Sequence, residues 1–159
     1  MTRTRLLGLL GLMATGLLAL GAIATADDKK PGDPASGGHA KMFMDCAKAC
    51  DDCKRSCDAC GAHCAKLIAN GQKHHMATLK TCQDCAAVCT AASCITAKQG
   101  PFSDVICTAC AEACKRCGDA CEEHGGNDPT MKACADECRK CEKACRDMLK
   151  HVGHGEPKK

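Results

Sequence analysis

From Cys46 to Cys64 the chain reads CAKACDDCKRSCDACGAHC, and its cysteines recur at steps of 4, 3, 4, 3 and 4. That rhythm puts Cys46, Cys50, Cys53, Cys57, Cys60 and Cys64 on one stripe of an α-helix. Lys48, Asp51, Asp52, Lys54, Arg55 and Asp58 fall on the other faces. The pattern is amphipathic, but sulfur stands where Leu and Ile stand in an ordinary helix. The rhythm returns three times. Cys82, Cys85 and Cys89 are spaced 3 and 4. Cys107, Cys110, Cys114, Cys117 and Cys121 are spaced 3, 4, 3 and 4, and His124 follows three residues later. Cys134, Cys138, Cys141 and Cys145 share their register with Met131 and Met148. Cys94 lies five residues beyond Cys89 and leaves the stripe.

The turn signals divide these stripes into four helices. The first is expected from about His39–Met42 to Ala69, stopped by Asn70-Gly71. The second starts near Lys73 and ends before Gly100-Pro101. The third starts near Ser103, read as an N-cap with Asp104 behind it, and ends at Gly125-Gly126-Asn127. The fourth has Asp128 as its cap and Pro129 at its first position. Short turns between helices imply antiparallel neighbours, so the fold class is all-α: an antiparallel four-helix bundle with a Cys-lined core. Eighteen of the 19 thiols fall on inward stripes.

The flanks read differently. Arg3 and Arg5 precede an apolar run from Leu6 to Leu20, and Ala24-Thr25-Ala26 is a small-x-small cleavage site. Residues 1–26 are read as a secretory signal peptide, which places the protein outside the cytoplasm, in a bacterial periplasm. The run is short for a membrane span, so no membrane association is expected after cleavage. Residues 27–38 read as a flexible linker, 39–151 as the bundle and 152–159 as a disordered tail.

Composition sharpens the question of stability. Among 159 residues there are 19 Cys and 7 Met, but only 2 Phe and no Trp or Tyr. Such a list cannot build an ordinary apolar core, so disulfides or metal must supply what is missing. The formal net charge of +3 gives no electrostatic case for a nucleic-acid partner. Catalysis finds no support: there is no Ser/His/Asp arrangement and no Gly-rich phosphate loop, and the six CxxC steps lie inside helices rather than after a strand.

Thiols four apart on a helix have Cβ atoms roughly 5–6 Å apart, close enough to span one metal ion. Cu(I) is soft and content with two or three thiolates. With bridging sulfurs its number would approach one per thiol, on the order of 15–20 ions. Zinc needs four tetrahedral ligands, typically from paired CxxC knuckles on turns, but here the CxxC steps are embedded in helices and a continuous ladder gives no discrete groups of four. Iron–sulfur clusters use CxxC-like loops and meet the same objection. A disulfide-stapled scaffold or adaptor, or a zinc or thiol buffer, remains the alternative for an exported Cys-rich chain. Against stapling, i,i+4 thiols on one stripe are poorly placed to bond each other, and 19 is odd.

The ladder from Cys46 to Cys64, the run ICTACAEACKRCGDACEEH from Ile106 to His124, and CADECRKCEKAC from Cys134 to Cys145 resemble the exported four-helix-bundle copper storage proteins. The resemblance covers about residues 39–151. It implies many Cu(I) ions held by thiolates inside the bundle, no enzymatic activity, and assembly into homotetramers. Copper ions and further copies of the chain are the partners implied; a copper-accepting enzyme or chaperone is left unnamed. By the same resemblance, Met and His near the start of the first helix form the mouth. His39, Met42, Met44 and Met148 are therefore candidate ligands beside the cysteines, with Cys94 and His151 at that end. At the other end His124 is a candidate ligand, and Leu67, Ile68 and Leu79 are expected to form a plug. His63, His74 and His154 are expected to be solvated.

Overall fold

The structure is a computed structural model in which residues 34–152 are described, with side chains from residue 37 onward. The signal segment, most of the linker, and the tail from 153, including His154, lie outside the described residues. Four α-helices follow one another: α1 (Pro34–Ala69), α2 (Met76–Ala97), α3 (Ser103–Gly125) and α4 (Pro129–Val152), with a 3-10 turn at Lys73–His75 before α2. The expected four-helix architecture is thus the observed one. Around the bundle the helices neighbour one another in chain order, with α4 returning to α1. None of the described helices is long and apolar enough to cross a membrane.

The helix ends show where local signals act. Asp128 caps α4 as expected: its Oδ1 accepts from the Thr130 and Met131 amides at 2.9 and 3.0 Å. Ser103 differs from expectation. It is the first residue of α3, and its hydroxyl donates back to the Gly100 carbonyl at 2.6 Å. α1 begins at Pro34 rather than near His39, so Pro34–Gly38 of the expected linker are helical. Proline suits a first helical position, where its missing N–H forfeits nothing.

The core is almost wholly sulfur. Eighteen cysteines are buried, joined by Phe43, Met131 and Met148 and a few alanines. The cysteine side chain is short, so the helices approach closely and sulfurs of the diagonal pair α1 and α3 touch across the middle. Ion pairs one turn apart, such as Lys115–Asp119 and Arg116–Glu112, cover the outside. Arg139 braces two helices at the surface. Arg139 of α4 donates to Asp119 and Glu122 of α3 at 2.7 Å each and to the Lys115 carbonyl at 3.1 Å. Its guanidinium lies over Gly118, where a Cβ would stand 3.0 Å from it.

Candidate metal centre

The parallel pair α1 and α3 supplies the frame. Five sulfur contacts run down it in register: Cys46–Cys107 at 3.9 Å, Cys50–Cys110 at 3.8 Å, Cys53–Cys114 at 3.7 Å, Cys57–Cys117 at 3.8 Å and Cys60–Cys121 at 3.9 Å. α4 runs the other way and fills one side. Cys145 lies 3.8 Å from both Cys46 and Cys50, Cys141 3.7 Å from Cys50, Cys138 3.7 Å from Cys53, and Cys134 3.9 Å from Cys57. α2 fills the other side over part of the length: Cys82 reaches Cys117 at 3.7 Å, Cys85 reaches Cys114 at 3.8 Å, and Cys89 reaches Cys110 at 3.7 Å. Contacts within one helix are fewer, at Cys53–Cys57, Cys85–Cys89 and Cys110–Cys114. The closest groupings therefore form between helices rather than along one.

Beyond Cys89 the α2 stripe carries Ala92 and Thr96, both fully buried. At that level three helices supply thiols, and the Thr96 hydroxyl lies 3.4 Å from the Cys107 sulfur. Cys64 lies near the opposite end. Burial first, then the neighbouring Cys60, Cys134 and Asp128, push its thiol up to about 12. Cys107 also stands at about 12: Cys145 pulls it down, but Cys46 and burial outweigh that. Cys50 is lowered to about 6, because contacts from Cys141, Cys145 and Cys46 outweigh Cys110 and burial. Neighbouring thiols thus shift one another in opposite directions. A soft cation entering the core displaces protons from thiols already at ligand spacing.

The two ends differ from expectation. At the end joining the starts of α1 and α3, Phe43 is only 4% exposed and Met148 is fully buried. Phe43 sits three residues before Cys46, on the same stripe, and the stripe count alone could have found it. His39 is exposed, with its ring 4.9 Å from that of Phe43. Met42 is half-buried at the surface between α1 and α4, and Met44 points outward with 53% exposure. Met44 therefore does not join the core, because it lies off the stripe that Phe43 and Cys46 define. Cys94 is likewise exposed on α2, away from the other thiols, and His151 is exposed.

The opposite end is polar. His75, three residues before Thr78 on the α2 stripe, is 5% exposed, and its Nδ1 has no hydrogen-bond partner. Burial, then the adjacent His74, lowers its pKa. His74 is exposed but packs against His75, the two rings tilted with centroids 3.9 Å apart. His63 is not solvated as expected: it is half-buried, and its Nε2 lies 2.7 Å from Asp128. The two residues are 65 positions apart, so only the tertiary fold reveals this pair. His124 is half-buried, and Met131 is fully buried beside Gly125, where a Cβ would stand 2.8 Å from that of Met131. Leu67 and Leu79 pack partly buried against the core here.

Fold and site together define a class: a four-helix bundle whose interior is a continuous array of free thiols at metal-ligand spacing. The family model described as copper storage protein matches residues 39–150, and the chain belongs to that family. Among solved structures, it is similar to the Cu(I)-bound copper storage protein BsCsp3, at 33% identity, covering 65% of this chain and 94% of that one with a TM-score of 0.60. It is also similar to a cytosolic copper storage protein from Streptomyces lividans in its five-copper form, at 30% identity over 72% of this chain and 97% of that one, TM-score 0.65. The Streptomyces lividans protein Ccsp loaded with 10 copper equivalents matches at 30% identity over 77% and 93%, with a TM-score of 0.66. Among curated proteins none matches significantly.

Proposed function

We propose that this protein stores Cu(I) in large number, outside the cytoplasm, on the thiolates of its bundle core. The observation that carries the reading is the sulfur array itself. Quartets of buried thiols lie within 4.8 Å of one another along the bundle, and successive quartets share members. Adjoining sites with common sulfurs suit a monovalent soft ion that accepts bridging thiolates. Relatives described as Cu(I)-bound and copper-loaded support the choice of ion. The inward ligands are the eighteen buried cysteines. Membership of a storage family agrees with the absence of any catalytic constellation in the sequence. Anaerobic titration of the reduced protein with Cu(I) against a competing chelator tests the reading. Saturation on the order of 15–20 ions is expected from thiolate bridging; saturation at one or two would overturn it.

Copper enters, in this reading, at the His75 and His124 end. The imidazoles of His75, His124 and His63 gather there around Asp128, close to Cys64, whereas Phe43 closes the other end with bulk. Export rests on the leader read in residues 1–26. The expected result is a mature chain beginning at Asp27 and recovered from the periplasmic fraction; a cytoplasmic chain retaining Met1 would overturn it. Self-association rests on the outer face of α2 and α3. From Cys85 to Ala97, α2 carries no charged residue, and Phe102 and Val105 at the start of α3 are 66% and 63% exposed. A homotetramer joined through this face is the assembly we infer.

A further inference from the structure

A ladder of thiols along one helix offers no group of four suited to a tetrahedral ion. The fold creates such groups by bringing helices together. Cys60, Cys82, Cys121 and Cys134, one from each helix, lie mutually within 4.8 Å, as do Cys50, Cys110, Cys141 and Cys145, and also Cys53, Cys57, Cys85 and Cys138. These three quartets share no sulfur, so all three can be filled at once. The edges at sulfur contact distance match the ion, and the remaining edges lie within 4.8 Å. A tetrahedron with metal–sulfur bonds of about 2.3 Å has sulfur–sulfur edges of about 3.8 Å. In the Cys50 quartet, Cys50 lies 3.8 Å from Cys110, 3.7 Å from Cys141 and 3.8 Å from Cys145, and Cys110 lies 3.8 Å from Cys141. In the Cys53 quartet, Cys53–Cys138 is 3.7 Å, and Cys53–Cys57 and Cys57–Cys138 are 3.9 Å. Cys60–Cys121 in the third is 3.9 Å.

We propose that the copper-free chain binds three divalent tetrahedral ions of the zinc class, one in each of these thiolate quartets. This goes beyond copper storage, and it depends on the sulfur geometry alone. Charge sets the order of the two cargoes. Four thiolates around a divalent ion leave two negative charges in a buried site, a state that low-dielectric surroundings penalise. Copper(I) matched one to one with thiolates leaves none. Divalent ions therefore occupy the core while copper is scarce and yield to it when copper arrives. While bound, they hold the helices together through the sulfurs.

The test uses reduced, metal-free protein under anaerobic conditions, titrated with Zn(II) or Cd(II) and read by native mass spectrometry. Three ions per chain are expected from the three separate quartets. Cys82→Ser breaks the Cys60 quartet and is expected to lower the count from three to two, whereas the exposed Cys94→Ser leaves three. Cadmium-113 NMR of the unaltered chain, which needs no variant to fold, is expected to show three tetrathiolate resonances. A count other than three in the unaltered chain, an unchanged count in folded Cys82→Ser, or a lowered count in Cys94→Ser overturns the proposal. The copper titration is a separate measurement, so failure of either reading is seen by itself.

Discussion

Phe43→Ala removes the largest apolar side chain from a core that holds few. Phe43 is 4% exposed, and among the described residues the large fully buried apolar side chains besides cysteine are Met131 and Met148. Truncating a buried Phe to Ala costs about 3–5 kcal/mol, counting lost transfer energy and the cavity left behind. A domain of ordinary stability has about 5–15 kcal/mol in total, so this is a large share. The expected result is a fall in the melting temperature of the reduced, metal-free protein on the order of 10–20 °C, followed by circular dichroism under anaerobic conditions. In the copper-loaded protein both wild type and variant should melt higher by a similar increment, because bound metal favours the folded state of each and no thiol is lost. A shift of less than about 4 °C in the metal-free form, equivalent to under 1 kcal/mol, would refute the buried plug. The same variant tests the entrance. If copper passes the His75 end, uptake from a chelated Cu(I) donor proceeds at the wild-type rate; faster uptake would show that Phe43 had been closing the working door.

Other outcomes follow from the same geometry. Arg139→Ala removes the brace between α3 and α4 and is expected to lower metal-free stability by about 1–2 kcal/mol, the scale of several partly exposed ion pairs. An unchanged midpoint for Arg139→Ala in denaturant titration would show the brace to be idle. Cys64 stands at about 12 in the folded chain against 9.0 for an ordinary thiol, so the folded state keeps its proton longer than the unfolded chain does. That stabilising contribution is whole below pH 9.0 and disappears as pH rises through 12; melts across that window should show a steady loss of stability. Phe102→Glu with Val105→Glu should give monomers by light scattering, while a retained assembly would move the interface elsewhere. Cys94→Ser should leave copper capacity unchanged, and loss of an ion would return Cys94 to the ligand set.

Much of this site could be read along the chain because helical spacing is local. Steps of 3 and 4 gave the inward face of each helix, and Asp128-Pro129 marked the start of α4. The same counting would have placed Phe43, Thr78, Ala92 and Thr96 in the core, since each continues a stripe past its last thiol. Other features depend on how one helix meets another. The quartet Cys60, Cys82, Cys121 and Cys134 exists only once four helices share a level, so the objection to tetrahedral ions held along a helix and failed across the bundle. The His63–Asp128 pair has the same origin. The early start of α1 was hidden by Gly37 and Gly38, residues that disfavour helix by about 1 kcal/mol each.

A core made from one kind of side chain poses a problem of register. If one helix slides along its neighbour by a heptad, cysteine still faces cysteine, and the sulfur contacts are largely restored. Uniform cores of this sort favour fluid packing over one ordered arrangement. The thiols therefore cannot tell the helices where to stop. That information sits in the residues that interrupt the repeat: Phe43 and Met148 at one end, His75 and Met131 at the other, Thr96 against Cys107, and Arg139 seated on Gly118. Metal capacity and structural uniqueness are thus written in different residues. The sulfur ladder could be lengthened or thinned without changing the fold, provided those few landmarks stay in place.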